Sequence, residues 1–221
     1  MPLPTLRPPE RISEQTFEAI HRAIMDGSYA PGHRLRIRDL AAELGTSVMP
    51  VREAIGRLEE LGLVETQPNR GARVKGFTPT ELLHVYSVRR SLEIDAAGAG
   101  AAAVTQEDLE ALRADLAAMA SHLEAGEVVA YLDADEHFLT VLYRAAGNPV
   151  LLELIHVLWQ RSRSYKIIGA ARELDSGNTQ ALVDFQTRLL GAATDHDDHA
   201  ARELTAASID AATDRIRRAI P

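Results

Sequence analysis

Hydrophobic residues in this 221-residue chain repeat with a helical period almost everywhere, and that period breaks once, between Leu63 and Lys75. Ahead of the break, Ile12 to Met25 carries Phe17, Ile20, Ala23 and Ile24 at helical spacing, and Gly27 follows as a stop signal. Pro31-Gly32 marks a turn. Arg38 to Leu44 reads as a short second helix with Leu40, Ala41 and Leu44 inward, ended by Gly45. Ser47 is placed to cap a third helix, Val48 to Leu61, whose core face is Val51, Ala54, Ile55 and Leu58. Pro50 is tolerated there because amide hydrogens of the first turn have no helical acceptor. At the break, Leu63–Thr66 and Ala72–Lys75 read as short strands around Pro68-Asn69-Arg70-Gly71. Two helices joined by a tight turn, then a hairpin, describe a winged helix-turn-helix.

Gly76-Phe77 is the expected joint between two domains, residues 1–76 and 77–221. Thr78-Pro79-Thr80-Glu81 then opens a helix with a capping-box pattern and proline at its first position. Thr105-Gln106-Glu107-Asp108 opens another, with acidic residues suited to the positive helix end. From there helical periodicity is unbroken in kind, with expected spans 79–102, 106–124, 127–146, 149–168, 176–194 and 197–219. Gly147-Asn148-Pro149 separates two of them. The Ala/Gly run at 96–103 reads as a close helix-packing surface, since small residues let backbones approach. The expected fold class is therefore mainly α, an N-terminal winged helix-turn-helix followed by an all-α bundle.

Composition narrows the function classes. No apolar run reaches the ~20 residues a membrane helix needs, and prolines near the N-terminus interrupt the apolar stretch of a secretion signal. Cysteine is absent, which excludes disulfides and thiolate metal sites and fits a reducing cytoplasm. Residues 1–77 carry 11 Lys and Arg against 10 Asp and Glu, whereas residues 78–221 carry 13 against 22. A near-neutral, arginine-bearing head on an acidic body suits a head that meets a polyanion.

The head contains Pro31-Gly32-His33-Arg34-Leu35, Asp39-Leu40-Ala41, Pro50-Val51-Arg52-Glu53-Ala54, Arg57-Leu58-Glu59, Gly62-Leu63-Val64 and Pro68-Asn69-Arg70-Gly71-Ala72, in that order. The body contains Val88-Arg89-Arg90-Ser91-Leu92-Glu93 and Ala146-Gly147-Asn148-Pro149-Val150-Leu151-Leu152. This set resembles the GntR family of bacterial transcription factors, in its FadR-like subfamily with an FCD effector domain. The resemblance implies a homodimer on double-stranded operator DNA, with an FCD-type helical domain that binds a small effector.

A helix in the major groove needs polar groups at its N-terminal turns to reach base edges. Ser47 and Arg52 lie there, and Arg52 is able to make a two-pronged contact to guanine. Arg38 opens the preceding helix, within reach of a phosphate or base. Asn69, Arg70 and Gly71 would form the wing tip, where small and basic groups approach the minor groove or backbone. One departure stands out. Where similar proteins carry Ser-Arg-Thr-Pro, this chain has Ser47-Val48-Met49-Pro50. Val48 has no donor and Met49 offers an apolar contact, for example to a thymine methyl, so the expected operator is not the family's usual one.

In FCD domains of this kind an Asp, a His one turn later and two further His commonly hold a metal. Counted from Gly147-Asn148-Pro149, those positions are Asp135, Leu139, Gln186 and Ser208, so a single ligand is kept and no metal cofactor is expected. Asp133 and His137 also have i, i+4 spacing, but using them needs a two-residue slip of ~200° around the helix, at odds with Phe138 and Leu142. His196 and His199 read as solvated groups at a helix start. What remains is polar residues on apolar stripes. Arg89 interrupts Leu82, Val85, Leu92 and Ala96, and Asp135 lies in line with Tyr131, Phe138 and Leu142. Gln186 sits between Leu182 and Leu189, and Ser208 between Leu204 and Ala211. Buried polar groups must satisfy one another or a ligand. Two readings are open: an Arg89–Asp135 ion pair with Gln186 and Ser208 bonded locally, or a pocket for a small organic acid clamped by Arg89. Trp159, Tyr165 and Tyr86 suit either the pocket wall or the core.

No nucleophile–base pair, phosphate loop or metal cluster supports an enzyme. The reading is a DNA-binding regulator sensing a carboxylate-bearing metabolite without a metal. The alternative is a regulator whose helical domain only dimerises.

Overall fold

In the computed structural model, which describes residues 10–67, 71–177 and 179–218, the three amphipathic segments of the head are helices. They are α1 (Glu10–Met25), α2 (Ile37–Glu43) and α3 (Val48–Glu60). The alternating segments are β2 (Val64–Gln67) and β3 (Gly71–Val74). A further strand, β1 (Arg34–Leu35), completes an antiparallel sheet of order β1-β3-β2. Two residues carry too short a pattern for alternation to declare a strand. The pairing of Leu35 with Ala72 across the sheet does so instead. Leu35, Val64, Ala72 and Val74 face inward onto Ile20, Ile24, Leu40, Val51, Ile55 and Leu58. Each large aliphatic side chain so buried contributes about 1.5–3 kcal/mol.

Gly71 is fixed by this sheet. Its φ is +82°, and a Cβ there would stand 2.8 Å from Leu35 O. A side chain would be strained in its own backbone and would push β1 away.

The chain divides between Gly76 and Phe77 into two compact units. In the second, described residues form α4 (Pro79–Ala103), α5 (Gln106–Glu124), α6 (Val128–Ala145), α7 (Pro149–Asp175), α8 (Gln180–Thr194) and α9 (Asp198–Arg218). Their starts are written locally. Thr78 Oγ1 accepts from Glu81 N at 3.2 Å while Glu81 returns a carboxylate to Thr78 N at 2.8 Å. Thr105 and Asp108 repeat the arrangement, and Asn148 caps α7 ahead of Pro149.

Phe138, Leu142, Ile155, Trp159 and Leu112 centre the core of this unit. Ala96, Ala97 and Ala101 are fully buried within it. A Cβ on Gly100 would lie 2.1 Å from Leu142 O, and one on Gly98 2.3 Å from Arg202 Nε. The small-residue run therefore lets α4 approach the backbone of α6 at Gly100 and leaves room for the Arg202 side chain of α9 at Gly98. Helix α7 continues to Asp175, beyond the expected 168, because Ala170 packs into a cluster with Met119, Leu123, Tyr131 and Leu132. That packing outweighs the cost of Gly169, about 1 kcal/mol in a helix interior. Gly177, at φ +75°, then turns the chain, and α8 begins at Gln180 rather than 176.

Candidate functional site

Helix α3 turns Val51, Ala54, Ile55 and Leu58 inward, and at ~100° per residue the opposite face carries Met49, Arg52, Glu53 and Gly56. Met49 is 63% exposed and Val48 36%, although both are apolar. Arg52 is exposed beside them. Ser47 occupies the N-cap position in extended backbone, and its side chain makes no cap bond. Arg38 is exposed in the first turn of α2. The sheet adds a basic pair the sequence did not single out: exposed Arg34 and Arg73 are register partners across β1 and β3. Glu65 stands opposite Arg73 on β2, so the exposed face of the sheet carries a row of charges, two basic and one acidic. Because β1 was not legible, neither was this pair. Gly71 is demanded by the contact with Leu35, which by itself accounts for a glycine there. Asn69 and Arg70 lie outside the described residues.

In the second unit, Arg89, Asp135, Gln186 and Ser208 line one cavity of about 390 Å3. Tyr86 and Tyr165 are on its wall, while Trp159 belongs to the core. The expected Arg89–Asp135 pair is not formed. Arg89 Nε donates to Glu93 Oε1 at 2.7 Å, one turn along α4. Asp135 is held by Lys166 Nζ at 2.9 Å and by Gln186 Nε2. Gln186 thus bonds across helices rather than locally. Glu93 also accepts from Trp159 Nε1 at 2.9 Å and Tyr143 OH at 3.3 Å. Both missed residues had a signal. Glu93 sits on the Arg89 stripe at i+4, and Lys166 falls on the stripe of Ile155, Trp159 and Ser162.

These pairs set the local charge states. Burial acts to lower the Arg89 pKa, but Glu93, Tyr86 and Tyr143 carry it above its ordinary value. For Lys166, burial again opposes the charge, and Asp135 and Glu136 overcome it, leaving the ammonium raised. Burial and then Glu93 push the Tyr143 phenol well up. Burial and then Asp135 do the same to Tyr131. Two buried atoms on the wall have no hydrogen-bond partner, Arg89 Nη1 and Thr205 Oγ1.

The resemblance implies a metal at Asp135, and the residues present do not fit one. Both oxygens of that carboxylate already accept bonds, and an ammonium lies where a divalent cation would have to sit. Leu139, Gln186 and Ser208 bring no imidazole. Asp133 and His137 do not act together: Asp133 pairs with Arg163 and His137 with Asp115. His196 Nδ1 lies 3.2 Å from Ala101 O, and His199 faces Glu203. Among the described residues no group of three or more His, Cys, Asp or Glu is placed to hold a metal. No described helix is long and apolar enough to cross a membrane.

A winged helix-turn-helix unit joined to a separate all-α unit with a cavity of its own defines a two-part regulatory protein. The chain belongs to the gntR family of bacterial regulatory proteins, whose profile matches residues 12–74, and it carries an FCD domain over residues 84–211. It is 30% identical over 135 residues to the HTH-type transcriptional regulator McbR of Escherichia coli K12, covering 61% of each chain. The match therefore spans about three fifths of that relative. An HTH-type transcriptional regulator from the TAR-I ttuE-ttuC' intergenic region of Agrobacterium vitis is 34% identical over 135 residues, 60% of this chain and 79% of that one. The solved structure of E. coli McbR/YncC superposes with a TM-score of 0.80 at 23% identity, covering 95% of this chain and 99% of the other. A GntR transcriptional regulator from Rhodococcus sp. RHA1 gives 0.81 at 24% identity, with the same coverage. The last two likenesses concern the fold.

Proposed function

We propose that this protein is a homodimeric transcriptional regulator. Its α3 reads operator DNA, and its helical unit senses a small organic acid without a metal. The observation that carries the DNA half is the exposed start of α3, where Ser47 stands at the N-cap and Met49 and Arg52 on the face opposite the core. Arg52 is the base-reading residue, Arg38 and the Arg34–Arg73 pair meet phosphates, and the wing at 69–71 follows the backbone. Val48 and Met49, in place of polar residues, direct the protein to an operator with thymine methyls at those steps. The acid-sensing half is supported by Arg89, Asp135, Gln186 and Ser208 sharing one cavity, with a guanidinium nitrogen still to be satisfied.

Selection of binding sites from random DNA by the full-length protein tests the first half. An enriched inverted repeat is expected, and the absence of any enriched sequence overturns it. A thermal-shift screen of organic acids with and without a chelator tests the second. Saturating ligand at ~100 times Kd raises stability by about 2.7 kcal/mol, with the chelator making no difference. A regulator whose helical unit only dimerises is the second reading, favoured by the degree to which Arg89–Glu93 and Lys166–Asp135 satisfy one another. A screen without a single shift would establish it.

A further inference from the structure

Thr205 breaks a habit of the helices around it. Thr213, on the same α9, hands its hydroxyl to Ile209 O at 2.8 Å, the ordinary bond of a helical threonine to the preceding turn. Thr205 is 5% exposed, lines the cavity, and leaves its Oγ1 without any partner. Arg89 is equally buried, lines the same cavity and leaves Nη1 unpartnered.

The packing of α4 on α9 brings the Glu93 turn and Thr205 to one level along the two helices. Arg90 reaches Asp210 at 2.8 Å and Arg202 reaches Asp95 at 2.9 Å, so the helices run antiparallel with the Glu93 turn opposite Thr205. The Arg89 guanidinium leans forward one turn onto Glu93, which carries it to that same turn. Both unsatisfied groups are hydrogen-bond donors, and they call for an acceptor head.

The rest of the wall limits what that head belongs to. Lys166, the other cation withdrawn from solvent on this wall, is already shared by Asp135 at 2.9 Å and Glu136 at 3.6 Å. Arg172 and Arg215 stand exposed. A second carboxylate at this depth would face Glu93, Asp135 and Glu136 with no cation of its own. Leu82, Tyr86 and Ile209, with Phe77, Tyr165 and Ile216 packed on them, form a continuous apolar stretch of the same wall.

We propose that Arg89 and Thr205 together hold the carboxylate of an amphipathic monocarboxylic acid whose apolar body lies along Leu82, Tyr86 and Ile209. This assigns Thr205 as a binding residue and rests on the acid-sensing reading above. The full-length protein is titrated calorimetrically with sodium butyrate, hexanoate and octanoate, and with succinate and citrate. Affinity should rise about fourfold per added methylene, and succinate and citrate should bind more weakly than hexanoate. Thr205→Val, which keeps the volume, should weaken octanoate roughly tenfold or more, and Thr205→Ser should restore it. The ligand-free melting temperature of Thr205→Val should equal or exceed that of the parent, because the hydroxyl it removes is unsatisfied.

Succinate or citrate binding more tightly than hexanoate overturns this ligand class while an acid-sensing cavity stands. Silence from all five acids overturns both readings. Octanoate binding by Thr205→Val as tightly as by the parent removes Thr205 from the site. A ligand-free melting temperature lowered by this substitution makes the hydroxyl a structural group instead and overturns the assignment.

Discussion

Arg89 Nε donates to Glu93 Oε1 at 2.7 Å, and both side chains are almost wholly withdrawn from solvent, at 6% and 2% exposure. The carboxylate gathers two further donors, from Trp159 and Tyr143. Pairing within one helix makes the pair independent of how α4 meets its neighbours. The other two donors tie it to α6 and α7. A buried pair of this kind adds little over an apolar substitute, but losing one member is costly because the other charge remains.

Arg89→Met should therefore destabilise the helical unit by about 3–5 kcal/mol, the cost of stranding Glu93 rather than Asp135. Arg89→Met with Glu93→Gln should recover most of that, since the amide keeps an acceptor for Trp159 without a charge. Urea unfolding of the two variants checks this. Equal loss in both would mean the guanidinium acts by packing alone.

On the DNA side, Arg52→Ala should weaken operator binding by roughly 1–3 kcal/mol and relax discrimination at one base per half-site. Arg38→Ala, at a phosphate, should weaken all sequences alike and shallow the salt dependence by about one counterion. Fluorescence anisotropy on the selected operator and on its single-base variants separates the two. Undiminished binding by Arg52→Ala would remove α3 from the groove.

Val48→Arg combined with Met49→Thr returns two polar groups to the exposed start of α3. The selected motif should shift away from that of the parent, with no gain on the parent's operator, because the apolar contacts are lost as the donors appear. Site selection by both proteins in parallel measures this, and identical motifs would show that positions 48 and 49 do not read bases.

The helical framework was legible because periodicity and caps are local. Thr78, Thr105 and Asn148 each write a helix start within three residues, and the inward stripe of α3 follows from spacing alone. Strand β1 was not legible, since its two residues become a strand through Ala72 and Arg73 far along the chain. The cavity residues followed from polar interruptions of apolar stripes, which is why Arg89, Asp135, Gln186 and Ser208 converge. Their partners did not follow. A stripe says that Arg89 and Asp135 face inward but not at which depth, and depth decides whether Asp135 meets Arg89 or Lys166. Thr205 was hidden for another reason: a buried threonine ordinarily bonds its own helix, and only the folded structure distinguishes one that does not.

The Lys166–Asp135 pair sets a pH dependence that can be worked out in sign. Asp135 and Glu136, against the opposing effect of burial, raise the Lys166 pKa in the folded state. Unfolded, a lysine titrates near ~10.4. The stabilisation is therefore complete below that value and is lost as pH rises from it through the folded pKa, because the unfolded chain gives up its proton first. Tyr131 and Tyr143, raised chiefly by burial, act in the same direction from about pH 10 upward. Stability of the helical unit should be flat from neutral pH to about 9.5 and fall steeply beyond it. Lys166→Met should lower stability at pH 7 by about 3 kcal/mol, since Asp135 keeps only Gln186. It should also reduce the alkaline slope by up to about 1.4 kcal/mol per pH unit, the equivalent of one proton. Lys166→Met with Asp135→Asn should restore the neutral-pH stability but not the slope. Urea midpoints measured between pH 7 and 11 on the three proteins decide it, and an unchanged slope in Lys166→Met would show that the ammonium is not held by the fold.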